Sequence, residues 1–206
     1  MMRVTVLRRV ASVFGIIGLF LICARGQAAG QQPTPSPTPQ HFTAFAINMG
    51  TAFGVPRTGQ SQTVDIVINR WSTQAERQGL IDAFLPKGDA DKLLKALQKT
   101  RPVGHIQFPN TLGYDLHYAR EVPGEDGGRR ILIATDRRIG FREASEQPRT
   151  MDYPFTLIEM RLNKDNEGEG KMSVATKISL SKDKQQLELE NYGSEPVRLN
   201  NIHKIK

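Results

Sequence analysis

Tyr153–Asn163 reads YPFTLIEMRLN and Lys171–Ser181 reads KMSVATKISLS, with KDNEGEG (164–170) between them. In the second stretch Met172, Val174, Thr176, Ile178 and Leu180 fall on one face, while Lys171, Ser173, Lys177 and Ser179 fall on the other. A period of two marks a strand with one dry face and one wet face. Two such runs joined by a short link must be antiparallel, because a parallel partner needs a crossover of about a dozen residues or more. The two runs therefore predict a long hairpin with Asp165–Gly170 as its flexible turn. GEGK (168–171) shares letters with a phosphate-binding loop, but it lacks the leading glycine spacing, the following Ser/Thr and the helix start. It reads as part of the turn.

The same texture recurs on both sides. FTAFAINM (42–49), TVDIVINRW (63–71), VGHIQF (103–108), LGYDLHYAREV (112–122), RRILIATD (129–136) and IGFRE (139–143) are rich in β-branched and aromatic residues, with turn formers between them. Phe42 stands on one face of the first run and Phe45 and Ile47 on the other, which fits a lined barrel interior or a helix laid over one side. QLELENY (186–192) and PVRLNNIH (196–203) predict a closing hairpin around Gly193 and Ser194.

The period changes once. Thr73 and Glu76 form a capping box ahead of Leu80, Ile81, Phe84 and Leu85, and Pro86-Lys87-Gly88 stops that helix. Asp89 caps a second helix, with Leu93, Leu94 and Leu97 as its dry stripe and Lys92, Lys95 and Lys99 as its wet face. Pro102 ends it, and Trp71 reads as the anchor of the pair on the sheet rim. The fold class is accordingly α+β and β-rich. A mostly antiparallel sheet of about eight or nine strands rarely stays open and flat, so it should be barrel-like or two-layered, with the two short helices packed on one side.

The N-terminus carries an address. Arg3, Arg8 and Arg9 precede the uncharged run VASVFGIIGLFLICA (10–24), and the small residues GQAAG follow shortly after. That order reads as a secretory signal peptide over residues 1–29, cleaved after Ala28 or Ala29. The fifteen apolar residues would span only about 22 Å as a helix, against a hydrocarbon core of about 30 Å. Residues 30–40 form a proline-rich linker with proline at 33, 35, 37 and 39, and residues 41–206 form one β-rich domain. The product is expected to be secreted or periplasmic, with membrane contact only through the N-terminal segment where cleavage fails. The single cysteine, Cys23, lies in the leader behind Ile22. It supplies no disulfide to the domain, and the large residue before it does not fit a lipoprotein site.

Of the 28 basic residues, four lie in the leader, which leaves 24 against 21 acidic ones and a charge of +3 on the mature chain. That balance is ordinary, and Phe141 is the only ring among the arginines of residues 129–142. A nucleic-acid partner is not expected. No HExxH, CxxC, GxSxG, Walker loop or dinucleotide fingerprint is present, and nothing calls for a cofactor.

Two constellations remain. If the PNT turn pairs the flanking strands, His105 falls opposite Asp115 with His117 diagonal to it, a set able to hold zinc with an open position for water. Arg129, Arg130, Arg137, Arg138 and Arg142 could form a patch for an anionic ligand, although Asp126, Asp136, Glu143 and Glu146 are near enough in sequence to neutralise it. The leading expectation is an exported, non-catalytic binding or envelope-associated structural domain, with a protein, glycan or lipid as partner. One alternative is a small metal-dependent hydrolase using His105, Asp115 and His117. The other is a β-barrel carrier of a lipid or other apolar ligand.

Overall fold

A computed structural model describes residues 35–47, 61–85, 87–124, 127–137, 139, 154–180, 187–191 and 196–205. The leader, the first part of the linker, Arg138, Arg142 and the Gly193-Ser194 pair lie outside the described residues. Among those described, the alternating segments form strands β1 (Gln40–Ile47), β2 (Ser61–Ile68), β3 (Gly104–Gln107), β4 (Tyr114–Leu116), β5 (Tyr118–Pro123), β6 (Arg129–Thr135), β7 (Phe155–Leu162), β8 (Glu167–Leu180), β9 (Leu187–Asn191) and β10 (Val197–Ile205). They make one antiparallel sheet in the order β4-β3-β2-β1-β10-β8-β7-β6-β5, with β9 paired to β8.

The two ends of this sheet are neighbours in sequence. Between β4 and β5 the His117 N–H donates to the Ala134 carbonyl at 3.0 Å, and the Thr135 hydroxyl donates to the Asp115 carbonyl at 2.7 Å. One bent strand thus serves β3 with its first half and β6 with its second, which rolls the sheet into a nearly closed barrel. Inward side chains from every quarter, Phe42, Ile66, Ile106, Ile131, Met160 and Leu199 among them, meet in one buried cluster. The β-rich, mostly antiparallel class with two short helices is the architecture observed.

Two local expectations are corrected. The turn after β7 is shorter than Asp165–Gly170, because β8 already begins at Glu167 and the bend is made by Asn163 to Asn166, with Asn166 at φ 64°. Asn163 holds that bend, its side chain accepting from the Asp165 and Glu167 N–H groups. Gly168 and Gly170 are strand residues facing Leu162 and Met160. A Cβ on Gly168 would stand 1.9 Å from the Arg161 carbonyl oxygen, and one on Gly170 would stand 2.6 Å from that of Glu159. The glycines serve close approach of neighbouring backbones rather than a loop.

Second, β9 and β10 do not form a hairpin. Both are antiparallel to β8, β9 along residues 176–180 and β10 along residues 167–172. They lie end to end against one fourteen-residue strand. The helices join β2 and β3, which are antiparallel neighbours.

Helices α1 (Gln74–Phe84) and α2 (Ala90–Lys99) begin where the sequence indicates. The Glu76 N–H donates to the Thr73 hydroxyl at 3.1 Å and the Thr73 N–H donates to the Glu76 carboxylate at 2.8 Å, completing the capping box. Arg70 bonds both Glu76 oxygens at 2.9 Å, and that guanidinium holds the carboxyl below its ordinary range. Asp89 caps α2 by accepting from the Lys92 N–H at 3.0 Å. The pair packs outside the barrel, where Leu80 and Leu97 join Tyr118 and Phe155 in a second cluster. Leu97 is the fully buried member of the α2 stripe, while Leu93 and Leu94 are half-buried. Leu97→Ala is expected to cost about 2–5 kcal/mol in chemical denaturation, and Leu94→Ala distinctly less. Equal costs would mean that α2 is rotated from this position.

Candidate functional site

The register places His105 directly opposite Asp115, as the turn at Pro109-Asn110-Thr111 requires. His117 does not join them. Its Nδ1 lies 3.1 Å from the Thr100 carbonyl, and its Nε2 lies 3.5 Å from the Asp136 carboxylate. The cause is the bend that closes the barrel. Leu116 and Ala119 are both fully buried in the inner cluster, so the alternation slips between them and the His117 ring turns toward the end of α2. Tyr118 is carried to the outer face by the same slip, beneath the helices. Burial pushes its phenol above the ordinary range, with Arg120 and Arg77 nearby pulling the other way. Among the described residues no group of three histidine, cysteine or acidic side chains is placed to hold a metal ion. His105, Asp115 and His117 are thus not brought together as one such group.

The arginines separate as well. Arg129 points into one end of the barrel and Arg130 out through its wall, because neighbours on a strand face opposite ways. Arg130 lies 3.7 Å from Glu159. Arg137 lies past the far end of β6, a strand about 20 Å long that starts at Arg129, and is 3.7 Å from Asp136. Arg138 and Arg142 fall outside the described residues. Arg129, Arg130 and Arg137 do not make one patch.

Arg129 instead ties a polar knot at the base of the barrel. Its guanidinium donates to Glu121 at 2.7 Å, to the Gln40 side chain at 2.8 Å and to Asn166. It also lies 5.7 Å from the Phe42 ring centroid. Glu121 in turn accepts from the Ser36 hydroxyl at 3.0 Å and from the Ser36 N–H at 3.3 Å. Trp71 donates its indole N–H to the Ser36 carbonyl at 2.6 Å. Gln40 is 1% exposed, and its amide donates to the Pro37 carbonyl at 2.8 Å. The last residues of the proline-rich stretch are thus built into the domain. Trp71 serves that stretch, a role its position beside the helix cap did not disclose.

A second arrangement was hidden until the strands were in register. On the outer wall the row Ile47, Arg198, Lys171, Glu159, Leu132, Arg120 runs across β1, β10, β8, β7, β6 and β5. Beside it runs Glu169, Arg161, Arg130, Val122. Arg198 faces Lys171, and Arg161 faces Arg130. Glu159 is only 5% exposed and accepts from Arg161 at 2.9 Å. No spacing within a single strand announces this wall, because its members come from six different strands.

No protein-family model, curated protein or solved structure matches the chain.

Proposed function

We propose that this is an exported, non-catalytic binding domain that meets a protein, glycan or lipid outside the membrane. The observation supporting it is the knot at the base of the barrel, where Ser36 and Gln40 are held by Trp71, Glu121 and Arg129. A plain spacer has no need of such bonds. A segment that sets how a domain is presented does, because it fixes the end from which the barrel leaves its N-terminal extension and leaves the outer wall facing outward. The basic residues before Val10–Ala24 and the small residues after it carry the export half of the reading. N-terminal sequencing of protein from the secreted or periplasmic fraction is expected to begin near Ala29 or Gly30. Intact Met1 on a soluble cytoplasmic protein would overturn export.

The nearly closed barrel also has the shape of a carrier for apolar cargo. Its inward side chains, however, meet in one buried cluster, as they do in small barrels filled by their own residues. Native mass spectrometry of freshly purified protein decides between the two. The bare polypeptide mass is the expected result, and a bound apolar molecule would establish the carrier.

A further inference from the structure

We propose that the outer wall of β10, β8, β7 and β6 docks an acidic peptide segment of a partner protein, through Arg198, Lys171 and Arg161. This names the partner of the binding domain proposed above and rests on that reading.

The wall's composition runs against its own stability. Directly opposed side chains on a sheet have Cβ atoms about 4.5–5.5 Å apart, and like charges there repel. Two such pairs stand on adjoining rows, Arg198 with Lys171 and Arg161 with Arg130. Glu159 partly neutralises the second, taking both Arg161 and Arg130 within 4.0 Å. The first is less relieved: Glu159 stands opposite Lys171 in register, but among the described residues neither Lys171 nor Arg198 has an acidic side chain within ion-pair distance, and both are exposed. Across the two rows, Arg120, Arg130, Arg161, Lys171 and Arg198 face only Glu159 and Glu169. A carboxylate-bearing partner would relieve the repulsion that folding leaves in place.

The chemistry also selects among anions. Guanidinium forks grip carboxylates with two parallel bonds, and an ammonium adds a point charge beside them. Adjacent strands stand about 4.8 Å apart, and alternate side chains of an extended peptide stand about 6.6 Å apart, so successive acidic residues can follow the wall. The two rows hold Ile47, Leu132 and Val122 but no aromatic ring, and so offer bases and sugar rings nothing to stack on. The wall of a barrel is convex, and a flat bilayer would touch only its crest.

Fluorescence anisotropy with a labelled polyglutamate peptide tests this on the protein purified from its own compartment. Saturable binding that weakens as salt rises is expected. Arg198→Glu is expected to weaken it by about tenfold or more. The same change turns a like-charge pair into an opposite-charge pair, so the variant should melt no earlier than the parent. A purely structural arginine would not lose binding while keeping its melting temperature. Lys171→Gln, which adds no new charge, should weaken binding several-fold and serves as the check if Arg198→Glu folds poorly. Three results would overturn the proposal: no binding by the parent, undiminished binding by both variants, or tighter binding to anionic vesicles or an acidic polysaccharide than to the peptide. A parent that ignores the peptide yet carries a processed N-terminus leaves export standing and removes only the acidic partner.

Discussion

Arg129→Ala is expected to destabilise the barrel by about 3–5 kcal/mol, the range for removing one partner from a buried ion pair. The Arg129 and Glu121 side chains are 11% and 15% exposed and 2.7 Å apart. Deleting the guanidinium leaves the Glu121 carboxylate largely buried with, among the described residues, only Ser36 to satisfy it. It also strands the Gln40 side-chain oxygen, since Gln40 is 1% exposed. Unfolding in urea measures the loss. Arg129→Met combined with Glu121→Leu should recover most of it, because replacing both charges removes the uncompensated one. A single-variant cost below about 1 kcal/mol would place Arg129 with ordinary surface pairs. The knot would then not hold the linker.

Phe42→Ala is expected to cost about 3–5 kcal/mol, while Phe45→Ala should stay within about 0.5 kcal/mol. Both rings sit on β1, three residues apart, and the sheet sends them to opposite faces. Phe42 is completely buried in the inner cluster, whereas Phe45 is 47% exposed. The helices that might have covered Phe45 pack elsewhere, over Tyr118 and Phe155. Melting the two variants side by side checks the assignment. Similar losses would mean that a further part of the molecule buries Phe45.

What the chain discloses before folding is governed by distance along it. The helix caps at Thr73 and Asp89 were legible because a cap involves residues only three apart. The pairing of His105 with Asp115 was legible for the same reason, since a short turn dictates it. Gly168 and Gly170 misled because glycine marks a turn by habit, and only the neighbouring strands reveal that a backbone passes too close for a Cβ. His117 misled because the slip between Leu116 and Ala119 serves barrel closure, a property of the whole sheet. The charged outer wall was beyond reach altogether. Arg198 and Lys171 meet only after β10 has found β8.

The pairing of β1 with β10 puts a clock on the fold. His41 lies opposite Ile205, 164 residues further along the chain. Until the last strand is made and delivered, β1 has β2 on one side and an open ladder of N–H and C=O groups on the other. Such an edge is a template for pairing with foreign strands, and contacts this far apart in sequence form slowly. A chain emerging N-terminus first from a ribosome therefore keeps its barrel ajar until β10 arrives. Its exposure to aggregation is longest for the strand that appears first. Removing Val197–Ile205 would leave that edge open permanently, so β10 acts as the clasp of the whole domain.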